Sequence, residues 1–393
     1  MNDRRYRIGI SGSYGGMNHG DEAILEGILG RLRATVPADV TVFSRNPEDT
    51  LARHKVERSV STRARTRREM VPEIERLDLL VLGGGGILYD RDAAEYMREV
   101  SIANELGVPV ILYAISAGPL ATEGARRAVR DALNVSPPPV ITVRDRLGYR
   151  LLEDVGVTPE IHLTADPAFL LEPEELSREV LKAEGVDFDR NLIGFSVREP
   201  GPAAPDIDPE EYYALLANAA DFVVKRYDAN VLFVPMEKTD VQHSHAVVAH
   251  MRKAERAEVL RRRYSPRQVL DLMGHLEFAV GMRLHFMIFA ALRGTPFAPL
   301  PYASKVTGLL EDLEMPTPPL GEIGIGQLIA RIDASWDTRA EIREKLRERV
   351  PALRGRAGQT NELLLGLLDE RGRGRGGAAE LPGATGPVEG QVP

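Results

Sequence analysis

The chain has 393 residues, more than one hydrophobic core usually serves, so two domains are expected. A formal net charge of −8 at pH 7 argues against the broad positive surface that nucleic-acid binding requires, and no nucleic-acid partner is expected. The sequence contains no cysteine, which excludes disulfides and thiolate metal ligands and agrees with a reducing, cytoplasmic location.

Short apolar runs alternate with helical segments in the first half of the chain. The runs are bounded by Gly or Pro and lack a polar face, as is typical of parallel strands covered on both sides. A helix that begins near Asp21 places its apolar residues on one face. This alternation predicts a parallel sheet with strands at 7–11, 39–43, 77–82, 108–114 and 140–143.

A second series of strands follows an acidic stretch interrupted by Pro173. Its strands are predicted at 192–197, 231–235, 278–281 and 296–299, with a helix at 210–227. No apolar run reaches the roughly 20 uninterrupted residues that a membrane-spanning helix needs, and no export signal is predicted.

The two series predict an α/β fold with two Rossmann-like domains facing a cleft, a glycosyltransferase-B-like architecture with a C-terminal helical segment. A single doubly wound sheet with insertions is the alternative. The predicted boundaries are 1–171 for the N-terminal domain, 172–190 for a hinge, 191–335 for the C-terminal domain, 336–370 for helices and 371–393 for a disordered tail.

Two glycine-rich segments follow strands in the first half. Gly15, Gly16, Asn18 and Asp21 lie between the first strand and the first helix, where backbone N–H groups can approach a phosphate. A tight turn with Asp21 as the helix cap explains the same residues. The run 83–86, which includes Gly84 and Gly85, follows the third strand and indicates close approach of a ligand or of another backbone segment.

Cationic residues follow strands in both halves. Arg144 and Arg198 each come where an apolar strand stops, and a guanidinium group suits a carboxylate or phosphate. For either arginine, a salt bridge to the acidic residue that follows it is the competing explanation. One arginine from each half favours an anion in the cleft.

The segment from Gly281 to His285 is the most informative one. Arg283 and His285 precede or open an apolar helix, so a cation, a titratable imidazole and a helix N-terminus come together. Lys305 follows the next strand and is a further candidate for anion binding. His243 and His245 are interpreted as surface residues, and no metal site is predicted.

In kind and order, these motifs resemble those of the polysaccharide pyruvyl transferase family. The resemblance covers about residues 7–312 and rests on the segments 15–25, 83–86, 143–145, 166–169, 281–285 and 302–306. Gly148 departs from the pattern, because the family often has a serine there.

The resemblance implies transfer of pyruvate from phosphoenolpyruvate to two hydroxyls of a glycan or lipid-linked sugar, giving a cyclic ketal and phosphate. It implies that Arg283 and His285 act on the donor, with Arg144 and Lys305 as donor ligands. Arg198 and Gly281 are added from their strand-end positions. The first half would then face the acceptor and the second the donor, with no cofactor besides phosphoenolpyruvate as co-substrate.

Two other functions remain open from the sequence. The same architecture serves glycosyltransferases and epimerases that use nucleotide sugars. A non-catalytic protein that binds anions or glycans is the third possibility. A lipid-linked acceptor would bring the protein to the inner membrane face, while the acceptor sugar and the oligomeric state are left open.

Overall fold

The computed structural model describes residues 5–62, 65–200, 208–300, 304–317 and 324–376. Within these residues the strands form two sheets, and every neighbouring pair of strands is parallel. The predicted α/β fold class is therefore confirmed, with one sheet in each half of the chain. The sheets are separate, so the single doubly wound sheet is excluded for the described residues.

The first sheet has the strand order β3-β2-β1-β4-β5-β6-β7. Its strands are β1 (Tyr6–Ser11), β2 (Ala38–Ser44), β3 (Arg58–Ser61), β4 (Leu79–Leu88), β5 (Val110–Ala117), β6 (Val140–Val143) and β7 (Ile161–Leu163). The helices between them are α1 (His19–Thr35), α2 (Pro47–Arg53), α3 (Arg67–Glu75), α4 (Ala93–Glu105), α5 (Glu123–Leu133) and α6 (Arg146–Val155).

The second sheet has the order β10-β9-β8-β11-β12. Its strands are β8 (Asn191–Ser196), β9 (Ala229–Phe233), β10 (Ala257–Val259), β11 (Phe278–Gly281) and β12 (Phe297–Pro299). Its helices are α7 (Arg178–Lys182), which precedes β8, then α8 (Pro209–Tyr227), α9 (Asp240–His250), α10 (Pro266–Met273), α11 (Leu284–Arg293) and α12 (Ser304–Asp312).

Both strand orders reverse direction at one point, between β1 and β4 in the first sheet and between β8 and β11 in the second. In open parallel sheets, ligands bind beyond the carboxyl ends of the strands at such a point. The two points face each other, because the backbone N–H of His19 at the start of α1 donates to the carbonyl of Met236 after β9, at 2.8 Å. The topology thus places the candidate site between the halves.

The C-terminal helices α13 (Ile325–Asp337) and α14 (Arg339–Gly376) follow the second sheet. Ile342 and Leu346 of α14 pack in the core of the second half, whereas Leu364 and Leu368 pack in the core around β1 and α1. A hydrogen bond of 3.0 Å joins the hydroxyls of Thr360 and Thr164. Helix α14 therefore crosses both halves.

Three strands escaped the sequence analysis, and each lies at the edge of its sheet: β3, β7 and β10. They are three or four residues long and partly exposed, so they lack the continuous apolar run of a central strand. The glycine run is also placed differently, because it lies inside β4 and pairs with β5.

The predicted domain boundaries stay predictions, although 172–190 falls between β7 and β8. Helix α14 continues past residue 370 to Gly376. The remainder of the predicted tail, 377–393, lies outside the described residues. No helix in the described ranges is long and apolar enough to cross a membrane.

Candidate active site

A cavity of about 230 Å³ lies between the carboxyl ends of the two sheets. Loops after β1, β4 and β6 supply its first wall, with Ser13, Asn18, Asp21, Gly86, Tyr89 and Arg144. Segments after β9 and β11 supply the opposite wall, with Met236, Arg283, Leu284 and His285. The loops after β1, β4 and β11 lie at the reversal points of the two sheets, as the topology predicts.

The imidazole of His285 projects from the first turn of α11 onto the first turn of α1. A Cβ atom built on Gly20 would lie 2.1 Å from Nδ1 of His285, so only glycine allows the ring to lie where it does. The other ring nitrogen, Nε2, is 3.3 Å from Oδ2 of Asp166, which is an ion pair when the imidazole is protonated. The ring is thus held between the two halves.

Asp166 joins His285 to Arg144. The same Oδ2 atom accepts a hydrogen bond of 2.5 Å from Nη1 of Arg144, and Oδ1 accepts from the backbone N–H of Ala168 at 2.9 Å. Burial alone would raise the pKa of the Asp166 carboxyl, but His285 and Arg144 hold that pKa well below its usual range. Asp166 is therefore ionised at neutral pH and orients the guanidinium of Arg144 and the imidazole of His285.

Arg283 caps α11 and is surrounded by carboxylates. Its Nε donates to Oδ2 of Asp240 at 3.1 Å, and its Nη2 also bonds to the other carboxylate oxygen. The same Nη2 is 3.3 Å from Glu199 and 3.0 Å from Glu237. Asp240 is fully buried, whereas Glu199 and Glu237 are 32% and 34% exposed. Asp240 therefore fixes the guanidinium, and the other two carboxylates lie on its solvent side.

The sequence model of the polysaccharide pyruvyl transferase family matches residues 18–304. This match includes the loop at Asn18, the Arg144 and Asp166 pair and the segment that carries Arg283 and His285. The chain belongs to the polysaccharide pyruvyl transferase family. No curated protein matches the chain in sequence.

Solved structures similar to this pyruvyl transferase family member share its fold at low identity. A UDP-N-acetylglucosamine 2-epimerase described as putative, from Listeria monocytogenes, has a TM-score of 0.63 at 12% identity, covering 92% of this chain and 95% of its own. The Neisseria meningitidis UDP-GlcNAc 2-epimerase bound to UDP-GlcNAc has 0.59 at 12%, covering 91% and 99%. A Rickettsia africae glycosyltransferase has 0.61 at 10%, covering 94% and 99%. These likenesses confirm the glycosyltransferase-B-like fold alone.

In this pyruvyl transferase family member, Arg198 lies at the same sheet edge as Arg283, because Ser196 pairs with Gly281 across β8 and β11. Arg198 forms the expected ion pair with Glu199, whose other oxygen contacts Arg283. Glu199 thus bridges the two arginines. Arg198 itself is not among the side chains that line the cavity.

In the loop between β1 and α1, some residues line the cavity and others shape the turn. Asn18, not Asp21, caps α1, because its Oδ1 accepts from the N–H groups of Gly20 and Asp21 at 2.9 and 3.4 Å. Gly15 has φ +75° and donates to Glu22 at 2.9 Å, and Gly16 lies at the exposed side of the turn. Neither glycine lines the cavity.

The carboxyl group of Asp21 faces the cavity. Burial raises the pKa of Asp21, an effect that His285 opposes. A carboxyl group repels an anion when it is ionised, so this side chain suits a hydroxyl group better than a phosphate.

The other predicted glycines are explained by close packing. A Cβ on Gly84 would lie 3.0 Å from the carbonyl oxygen of Tyr113, and Gly85 has φ +95° beneath α1. A Cβ on Gly281 would lie 2.8 Å from Phe286. In the glycine run 83–86, the residue that lines the cavity is Gly86. The side chain of Lys305 lies outside the described residues.

The residues that sequence reasoning missed are the carboxylates. Asp166 belongs to a segment on which the family resemblance rests, and this was its only signal. Glu237 and Asp240 lie far from Arg283 in the chain, in a polar stretch without a distinctive pattern. Among the described residues, no group of three or more His, Asp or Glu side chains is arranged to hold a metal ion.

Proposed function

We propose that this protein transfers pyruvate from phosphoenolpyruvate to two hydroxyls of a sugar, forming a cyclic ketal and releasing phosphate. Family membership supports a transferase of polysaccharide synthesis. One observation carries the proposal of pyruvyl transfer from phosphoenolpyruvate. Asp166 contacts both Arg144 and His285, and so holds a guanidinium and an imidazole at one cavity between the two sheets.

The donor carries a carboxylate and a phosphate, which need fixed cations. Arg144 and Arg283 are the cations that line the cavity, and Lys305 is a further predicted ligand. Because Glu199 and Glu237 are the exposed partners of Arg283, the donor displaces them while Asp240 keeps the guanidinium in place. Arg198 then stays paired with Glu199 and holds it aside.

The reaction adds two hydroxyls to one carbon atom. In the first step C3 of the donor gains a proton, and an acceptor oxygen bonds to C2 and loses its proton. In the second step the oxygen of another hydroxyl bonds to C2 and loses its proton, while the C2–O bond to phosphate breaks and phosphate leaves. His285 moves one of these protons, and the carboxyl group of Asp21 is positioned to accept a hydrogen bond from an acceptor hydroxyl.

The acceptor is a glycan or a lipid-linked sugar, and phosphoenolpyruvate is the co-substrate without a further cofactor. A cytoplasmic location and contact with the inner membrane face through a lipid-linked acceptor remain predictions from the sequence. The acceptor sugar is to be found by screening.

A product assay separates this proposal from its alternatives. The protein is incubated with phosphoenolpyruvate and a panel of sugar acceptors, and in parallel with UDP-N-acetylglucosamine alone and with the same acceptors. Acceptor-dependent phosphate release and a product heavier by one pyruvyl ketal support the proposal. Release of UDP, or epimerised nucleotide sugar, would support the nucleotide-sugar enzyme instead. Binding of phosphoenolpyruvate without turnover on any acceptor would support the non-catalytic protein.

A further inference from the structure

Two groups that can take up a proton at neutral pH line the candidate active site, one from each half of the molecule. The imidazole of His285 comes from the first turn of α11, and the carboxyl group of Asp21 comes from the first turn of α1. The guanidinium groups of Arg144 and Arg283 stay protonated and cannot act as bases. Among the described side chains that line the cavity, Asp21 is therefore the base available besides His285.

Capping of α1 does not account for Asp21, because Asn18 caps this helix. The Asp21 side chain is half-buried, and its carboxylate accepts a hydrogen bond from the hydroxyl of Ser13, which also lines the cavity. Behind it lies Gly85 of β4, where a Cβ atom would come 3.6 Å from Oδ1 of Asp21. The carboxylate is thus held by one hydroxyl between the glycine run of β4 and the cavity.

The surroundings of Asp21 make its carboxylate a stronger base than an exposed one. Burial raises the pKa of Asp21, and the charge of His285 is the largest influence that opposes this rise. Arg45, which follows β2, also opposes it, whereas the neighbouring Glu22 adds to it. Asp21 and His285 therefore interact across the cavity, and a protonated imidazole favours the ionised carboxylate that a base must present.

We propose that Asp21 is a second catalytic residue, the base that takes the proton from the acceptor hydroxyl that attacks the donor. This inference rests on the proposed pyruvyl transfer. In the first step the hydroxyl oxygen bonds to C2 while Asp21 takes its proton. The electron pair of the C2–C3 double bond moves to C3, which takes a proton from the imidazolium of His285.

In the second step the two residues exchange roles. The oxygen of the other hydroxyl bonds to C2, and its proton passes to the neutral imidazole of His285. The C2–O bond to phosphate breaks with its electron pair on the phosphate oxygen, which takes the proton from Asp21. Both residues regain their starting protonation states, so the cycle needs no further acid or base.

The test compares Asp21→Asn with the wild type and with the control Asp131→Asn, which changes an exposed carboxyl group in the same half. Phosphate release is measured with phosphoenolpyruvate and the acceptor found in the product assay, and thermal unfolding verifies that each variant is folded. Asparagine keeps the size of the side chain but cannot take the proton. The kcat should therefore fall about a hundredfold or more, and the control should match the wild type.

Binding measurements separate a catalytic role from a binding one. Calorimetric titration with phosphoenolpyruvate should give the same affinity for Asp21→Asn as for the wild type. An unchanged kcat with a raised KM for the acceptor would show that Asp21 only binds the hydroxyl, and would overturn the inference. Loss of phosphoenolpyruvate binding would show that Asp21 shapes the donor site, and would overturn it as well.

Chemical rescue separates a lost base from a disturbed site. Asp21→Ala leaves a space that formate can enter, so sodium formate should raise its phosphate release about tenfold or more over the same concentration of sodium chloride. His285→Ala lacks a different group and should not respond. Absence of rescue in Asp21→Ala, or equal rescue of both variants, would contradict the assignment.

The wild type distinguishes failure of this inference from failure of the proposed function. If it releases no phosphate from phosphoenolpyruvate with any acceptor, pyruvyl transfer is refuted and the role of Asp21 falls with it. Equal turnover by the wild type and Asp21→Asn refutes the role of Asp21 alone.

Discussion

The ring of His285 rests directly on the backbone of Gly20, with no space for a side chain between them. This contact ties the two halves together at the proposed proton-transfer group. No sequence pattern revealed it, because Gly20 and His285 lie on different halves and the glycine has other possible roles in a turn. At the residue scale, sequence reasoning found the imidazole and missed what positions it.

Replacing Gly20 with Ala should displace the imidazole, because the new Cβ would lie 2.1 Å from Nδ1. We expect kcat to fall about a hundredfold, the usual contribution of general acid–base catalysis, with a smaller change in KM for phosphoenolpyruvate. Gly30→Ala in the same helix is the control, because its Cβ would meet nothing within 4 Å. Equal kcat values for the two variants, measured by phosphate release, would show that Gly20 does not position the ring.

Arg283 offers a second test at this scale. Lys in its place keeps the charge but loses the planar fork that bonds to both oxygens of Asp240. The KM for phosphoenolpyruvate should rise roughly tenfold through loss of one charge-assisted contact. Arg252→Lys, at an exposed position, provides the control. Unchanged donor kinetics in Arg283→Lys would remove Arg283 from the donor site.

At the scale of elements, Asp166 connects three of them: the end of β6 through Arg144, the short helical turn Pro167–Leu170 through Ala168, and α11 through His285.

Central strands were predictable because burial on both faces gives them continuous apolar runs. Long helices were predictable because their apolar residues lie on one face. The edge strands β3, β7 and β10 were not, since part of their surface is exposed. The glycine run was placed after β4 because glycine carries no apolar signal, although its backbone pairs with β5.

Replacing Asp166 with Asn should destabilise the fold, because Arg144 then keeps a buried charge without its principal partner. We expect a loss of about 3 kcal/mol in the free energy of unfolding at pH 7. Urea unfolding of wild type and variant measures this difference.

The destabilisation should depend on pH in a defined direction. The folded-state pKa of Asp166 is depressed, so its stabilisation is present above the unfolded pKa of about 3.9 and is lost as pH falls through the folded value. The gap between wild type and Asp166→Asn should therefore shrink as pH falls below about 4. A gap that grows as pH falls below about 4 would contradict the assignment of Asp166 as an ionised partner.

At the scale of the whole molecule, the fold alone does not select the reaction, since epimerases and glycosyltransferases share it at 10–12% identity. The sequence predicted two α/β halves and a C-terminal helical segment. It did not predict that the halves meet through α1, because such contacts join residues far apart in the chain. The proposed reaction is supported instead by the side chains that these contacts bring to one cavity.

Phosphate release from phosphoenolpyruvate by the wild type and by His285→Ala tests the central claim most directly. His245→Ala, an exposed histidine, is the control, and thermal unfolding verifies that each variant is folded. We predict acceptor-dependent release by the wild type and by His245→Ala, and none above background by folded His285→Ala. Near-normal release by His285→Ala would contradict the account.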